Sequence, residues 1–289
     1  MEVVYDTGSD WLTIEGDNCR VCKGNTFNHE NSASFKFLET VQSTNLSYGS
    51  AELKGLRASD QVCLPKSNDL KGSEEGVCLE EFEFFLVSEQ EGLTSRIDGV
   101  LGLSRSKLPA NLEKEWRGIG PLYVKHLAKA GLIKENTFSF FLESYSDNKA
   151  LTSFIDIGTP VEEHMRPGQP IVWFKLKPHM YWMVTNVSAV RFTTQNGSID
   201  KNKEYKWLKK GKHGYDAIFD SGTSLTMVPQ DLYEMVLSKL LREGGNIHWE
   251  KQDQMYLVNC KTGAKKLPSL ELLIDNYWVE MRPQDYLVQ

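Results

Sequence analysis

At 289 residues, 40% of them hydrophobic and 25% charged, the chain is long enough to bury one or two cores and too apolar to stay disordered. Its formal net charge of −6 argues against a nucleic-acid surface, and no apolar run approaches the length of a membrane span. Five cysteines, Cys19, Cys22, Cys63, Cys78 and Cys260, leave at least one without an intrachain partner, and Cys260 is the expected odd one. Cys19-Arg20-Val21-Cys22 has the spacing of a zinc knuckle, a redox pair or a small disulfide loop. With no second close pair and no suitably spaced His, the disulfide is favoured.

In chain order, Val3-Val4-Tyr5-Asp6-Thr7-Gly8-Ser9 runs apolar residues into an Asp, a hydroxyl, a Gly and a second hydroxyl. That pattern predicts a buried strand ending in a tight polar turn, with the acid at the strand's mouth. Polar sequence from Asn25 to Ser34 precedes a hairpin between Thr40 and Gln61, and Tyr48-Gly49 taken alone reads as a strand end. Glu81 to Val87 alternates and then turns wholly apolar, a strand going from half-buried to buried, and Val100-Leu101-Gly102 is a further apolar strand. Pro121 to Ala130 predicts a core-facing helix stopped by Gly131, with Phe138 to Leu142 as the next strand.

A boundary is expected near Arg166-Pro167-Gly168, dividing the chain into 1–166 and 167–289, with strands restarting at Ile171-Val172-Trp173-Phe174. Tyr181-Trp182 taken alone reads as core, Gln195 to Ser198 as a hairpin turn, and the six lysines between Lys201 and His213 as a solvated hairpin. Asn45, Asn186 and Asn196 each open a glycosylation sequon. Ala217-Ile218-Phe219-Asp220-Ser221-Gly222-Thr223-Ser224 then repeats the first acidic turn, and Pro229 to Arg242 predicts a helix with Leu232, Val236 and Leu240 on one face.

One such turn is common; two copies, with their acids 214 positions apart, imply two related lobes that each bring one Asp to a shared cleft. Gly8 and Gly222 allow backbone geometry that a side chain would block. Thr7, Ser9, Ser221 and Thr223 can hydrogen-bond a carboxylate or its supporting backbone. The chain resembles the pepsin-like aspartic proteases in both turns. Asp98-Gly99-Val100-Leu101-Gly102-Leu103 is similar to the strand that passes beneath the family's first catalytic loop. Tyr48-Gly49-Ser50 resembles the tip of its substrate-covering flap, Tyr181-Trp182 a pair beside its cleft, and Leu267 to Gln289 its closing strands.

The resemblance implies a mostly β, bilobal fold of two pseudo-symmetric lobes with a few short helices, and an aspartic endopeptidase that is monomeric and acts on polypeptides without metal or cofactor. It implies Asp6 and Asp220 as the catalytic pair, supported by Thr7, Gly8, Ser9, Ser221, Gly222, Thr223 and Ser224, with Tyr48, Gly49, Ser50 and Tyr181 on the substrate. It also implies disulfides Cys19–Cys22 and Cys63–Cys78, and with them an oxidising secretory route to a lysosome, vacuole or the cell exterior. Both ends are expected to be truncated relative to the family, and a peptide-binding homologue or gene fragment of low activity is the competing expectation. The chain departs from the family at Ser221, where Thr is usual, at Ala51 and Glu52 in the flap, and at Trp11, two places earlier than the family's Trp.

Overall fold

The structure, a computed structural model, describes residues 1–38, 44–47, 51–65, 76–93, 96–105, 120–142, 153–161, 165, 167–168, 170–178, 181–193, 205–206, 214–243, 246–252, 254–259 and 261–287. The N-terminal half holds strands β1 (Val3–Asp6), β2 (Leu12–Glu15), β3 (Lys36–Phe37), β4 (Thr44–Ser47), β5 (Glu52–Leu64), β6 (Val77–Glu91) and β7 (Gly99–Gly102). Among the described residues they form one sheet in the order β1-β7-β2-β6-β5-β3, with β4 added to β5. β7 is wedged between β1, which it parallels with Asp6 opposite Gly102, and β2, to which it runs antiparallel. Backbone bonds beyond the ladder hold the first acidic turn to the end of β7: Leu103 N donates to Asp6 O at 2.7 Å and Ser104 N to Ser9 O at 2.8 Å.

The sequence of β6 explains how this sheet is packed. Phe82, Phe84 and Leu86 join one core cluster with Leu12, Ile14, Leu101 and Leu103, whereas Phe85 and Val87 join Trp11 and Leu53 in another. A strand buried on both faces needs apolar residues at consecutive positions, which is why its pattern passes from alternating to continuous. Helix α1 (Tyr123–Lys129) covers the larger cluster with Tyr123, Val124 and Leu127 and ends before Gly131 at φ 74°. Strands β8 (Phe138–Phe141) and β9 (Phe154–Ile157) pair as a separate hairpin.

The C-terminal half is built on the long strand β10 (Met183–Thr193). β11 (Tyr205–Lys206) and β12 (Tyr215–Ile218) pair with it directly. After helix α2 (Gln230–Glu243) and the small hairpin β13 (His248–Glu250) and β14 (Met255–Leu257), β15 (Ser269–Ile274) and β16 (Tyr277–Met281) complete the sheet. Val190, Phe192 and Leu270 form its core with Leu232 of α2.

Two expectations need correction. Ile171-Val172-Trp173-Phe174 is not a strand: Leu176 makes a single bridge to Val184, and only Phe174 and Leu176 pack inward while Ile171, Val172 and Trp173 stay exposed. With no buried face, an apolar run has nothing to hold it in a ladder. The closing strands end at Met281, and the short helix α3 (Pro283–Tyr286) follows, because Pro283 has no N–H for a ladder and suits a helix's first position.

Candidate active site

The two acidic turns face each other and are closed by reciprocal hydrogen bonds. Thr7 N donates to Ser221 Oγ at 3.0 Å, and Ser221 N to Thr7 Oγ1 at 2.9 Å. Each hydroxyl also reaches across to the carbonyl that precedes the other Asp: Thr7 Oγ1 donates to Phe219 O at 2.9 Å and Ser221 Oγ to Tyr5 O at 2.6 Å. Within each turn a glycine N–H holds its own acid, Gly8 N to Asp6 Oδ1 at 2.8 Å and Gly222 N to Asp220 Oδ1 at 2.9 Å. Thr223 Oγ1 adds a donor to Asp220 Oδ2 at 2.6 Å.

The glycines are required because each turn abuts the other's carboxylate. A methyl on Gly8 would stand 2.6 Å from Asp220 Oδ1, and one on Gly222 would overlap Asp6 Oδ1 and stand 3.3 Å from Asp220 Oδ1. The two carboxyl groups therefore share one small space. Asp6 is buried, with 8% of its surface exposed, and burial pushes its carboxyl above the ordinary range. The N–H of Gly8 pulls it down, while the charge of Asp220 pushes it up again. The Asp6 carboxyl is therefore harder to ionise with Asp220 beside it.

The model of the eukaryotic aspartyl protease family matches residues 1–289. The chain belongs to that family. It is 24% identical to human cathepsin D over 99% of its own length and 64% of the relative's. It is 26% identical to vacuolar protease A of Arthroderma otae over 100% of its own length and 62% of the relative's. Sheep pregnancy-associated glycoprotein 1 is 24% identical, with 65% of its length covered. The chain thus spans less than two thirds of these curated relatives.

Of the residues read from sequence, Asp6, Thr7, Gly8, Ser9, Asp220, Ser221, Gly222 and Thr223 come together, whereas Ser224 lies exposed on the turn. Tyr48, Gly49 and Ser50 lie outside the described residues, as do Cys260 and Asn196. Tyr181 is half-buried next to Trp182, whose Nε1 donates to Leu103 O at 2.8 Å and so ties β10 to the end of β7. Cys19–Cys22 and Cys63–Cys78 are disulfide-bonded. No helix among the described residues is long and apolar enough to cross a membrane.

The sequence reading gave no role to two buried carboxylates at the end of the β1–β7–β2 ladder away from Asp6. Glu15, buried at the end of β2, accepts from Gly24 N at 2.9 Å, and Asp98, just before β7, accepts from Asn25 N at 2.6 Å and Glu2 N at 2.5 Å. Together they pin the loop carrying Cys19–Cys22 against β1 and β7. Their only signal in the sequence was an acid at the edge of an apolar run, which is too common to single out.

Proposed function

We propose that the protein is an aspartic endopeptidase, with Asp6 and Asp220 as the catalytic pair. The observation that carries this reading is the reciprocal closure of the two turns, which holds both carboxyl groups in one space. A water bound between them is deprotonated by the ionised carboxylate and attacks the peptide carbonyl carbon. The protonated partner donates to the carbonyl oxygen as charge develops there, and the proton taken from water passes to the departing amine as the C–N bond breaks.

The chemistry needs no metal and no covalent intermediate. Tyr48, Gly49 and Ser50 are assigned to a flap that closes over an extended polypeptide, and Tyr181 to the substrate side of the cleft. The lobes are divided between residues 166 and 167, and the protein works as a monomer. Its disulfides and its likeness to proteins named cathepsin D and vacuolar protease A support an acidic secretory compartment, a lysosome or vacuole. A peptide binder without turnover is the second reading. It is favoured by the solvent exposure of residues 221 to 224, against the burial of Asp6, Thr7 and Ser9.

The test is cleavage of acid-denatured globin by the full-length protein, measured from acid to neutral pH. Turnover that fades towards neutrality, is blocked by a statine-type peptide and is indifferent to a chelator is the expected result. Tight binding of the statine peptide without cleavage would establish the second reading, and chelator-sensitive turnover would overturn both.

A further inference from the structure

We infer that Asn45 carries an N-linked oligosaccharide on the outward face of the hairpin formed by β4 and β5, whereas Asn186 is not modified. Asn45 opens the sequon Asn45-Leu46-Ser47 and is exposed at the centre of β4. β4 pairs only with β5 among the described residues, with Asn45 opposite Lys54 and Leu46 opposite Leu53. Leu46 and Leu53 turn into the cluster around Trp11 and Phe85, so strand alternation sends Asn45 to the other face. There it stands beside Lys54, which is ion-paired with Glu89 at the surface. A bulky sugar at this position has open solvent before it and displaces no packed side chain.

Asn186 opens the sequon Asn186-Val187-Ser188 but is half-buried within the bulge of β10, with φ at 62°. Its Oδ1 accepts from Gly214 N at 3.3 Å and its backbone carbonyl from Asp275 N at 3.3 Å, and Val187 and Ser188 beside it are buried. β12 and β15 both pair with β10 at Val187, so the backbone next to Asn186 is held on both sides.

Transfer takes place on the entering chain. The amide nitrogen of Asn45 attacks the anomeric carbon of a polyprenyl-pyrophosphate-linked oligosaccharide and loses one proton as the C–N bond forms, and the polyprenyl pyrophosphate leaves as the C–O bond breaks. Once the chain folds, the sugar lies beside β4, which among the described residues pairs only with β5. A strand edge with unpaired N–H and C=O groups is a template for pairing with other chains, and a glycan blunts it. This inference rests on the secretory route proposed above.

The experiment uses the full-length protein secreted from a eukaryotic host as wild type, Asn196→Gln, and Asn45→Gln with Asn196→Gln. Enzymatic removal of N-glycans, peptide mapping in heavy-oxygen water and mapping of disulfides follow. On deglycosylation the double variant should lose the mass of one glycan less than Asn196→Gln does, and wild type should show heavy-oxygen Asp at position 45 and unlabelled Asn at 186. The peptide mapping reads wild type, so poor folding of a variant does not obscure the answer. Label at 186, or an unlabelled Asn45 in protein with both disulfides formed, overturns the assignment. An unlabelled Asn45 with free thiols at Cys19 and Cys63 overturns the secretory route with it.

Discussion

In the proposed mechanism Asp6 and Asp220 play complementary roles, so neither can stand in for the other. Asp6→Asn and Asp220→Asn should each lower kcat by about 10³-fold or more while the fold is kept, as read by steady-state kinetics and circular dichroism on the full-length protein. Burial raises the Asp6 carboxyl, and Asp220 raises it further. The same direction governs stability. An acid whose folded pKa lies above its unfolded one adds stability below the unfolded value and loses it as pH rises through the folded value. Burial raises Glu15 in this sense, helped by the charge of Asp98 and only partly offset by the N–H groups of Gly24 and Lys23. Asp98 runs the other way: burial pushes it up, but the N–H groups of Glu2 and Asn25 and the Asn25 amide outweigh that and hold it below the usual range. Glu15→Gln mimics the protonated acid, and it should flatten the fall in urea-unfolding stability between acid and neutral pH.

At the scale of elements, the important unit is the pair of turns rather than either turn. Thr7 and Ser221 each donate and accept across the interface, so their hydrogen bonds join β1 to the residues that follow β12. Thr7→Val keeps the shape of the side chain but leaves Phe219 O and Ser221 N without their partner. Unpaired groups of this kind cost about 1–3 kcal/mol, and a shift of about 1 Å between reacting groups costs roughly 10²-fold in rate. The variant should thus unfold at lower urea and lose proportionately more activity than stability. Gln in place of Glu15 should not show that imbalance, because Glu15 braces a loop rather than the pair.

The two acidic turns sit in unequal surroundings when the whole molecule is considered. β1 is covered by β7, whereas the residues around Asp220 leave Ile218, Phe219, Leu225 and Met227 exposed, Met227 at 83%. An apolar surface of this kind invites association. Met227→Gln should leave the urea-unfolding midpoint of residues 1–289 unchanged, since exposed substitutions usually fall within about 0.5 kcal/mol. It should also reduce self-association, as measured by light scattering. A fall in stability equal to that of a core truncation would show that Met227 is packed in solution.

Local chemistry determined much of this in the sequence: apolar runs feeding Asp-hydroxyl-Gly-hydroxyl turns specify strand, turn and acid within seven residues, and their recurrence implied the pairing of Asp6 with Asp220. The two-sided burial of Phe84 to Val87 was legible for the same reason, because a strand's period reports directly on how many of its faces are covered. Ile171 to Phe174 misled because an apolar run becomes a strand only when a ladder and a buried face receive it, and those lie elsewhere in the chain. Glu15 and Asp98 were silent for a related reason. Their partners, Gly24, Asn25 and Glu2, are brought to them by the wedging of β7 between β1 and β2, and long-range closure of that kind leaves no local periodicity to read.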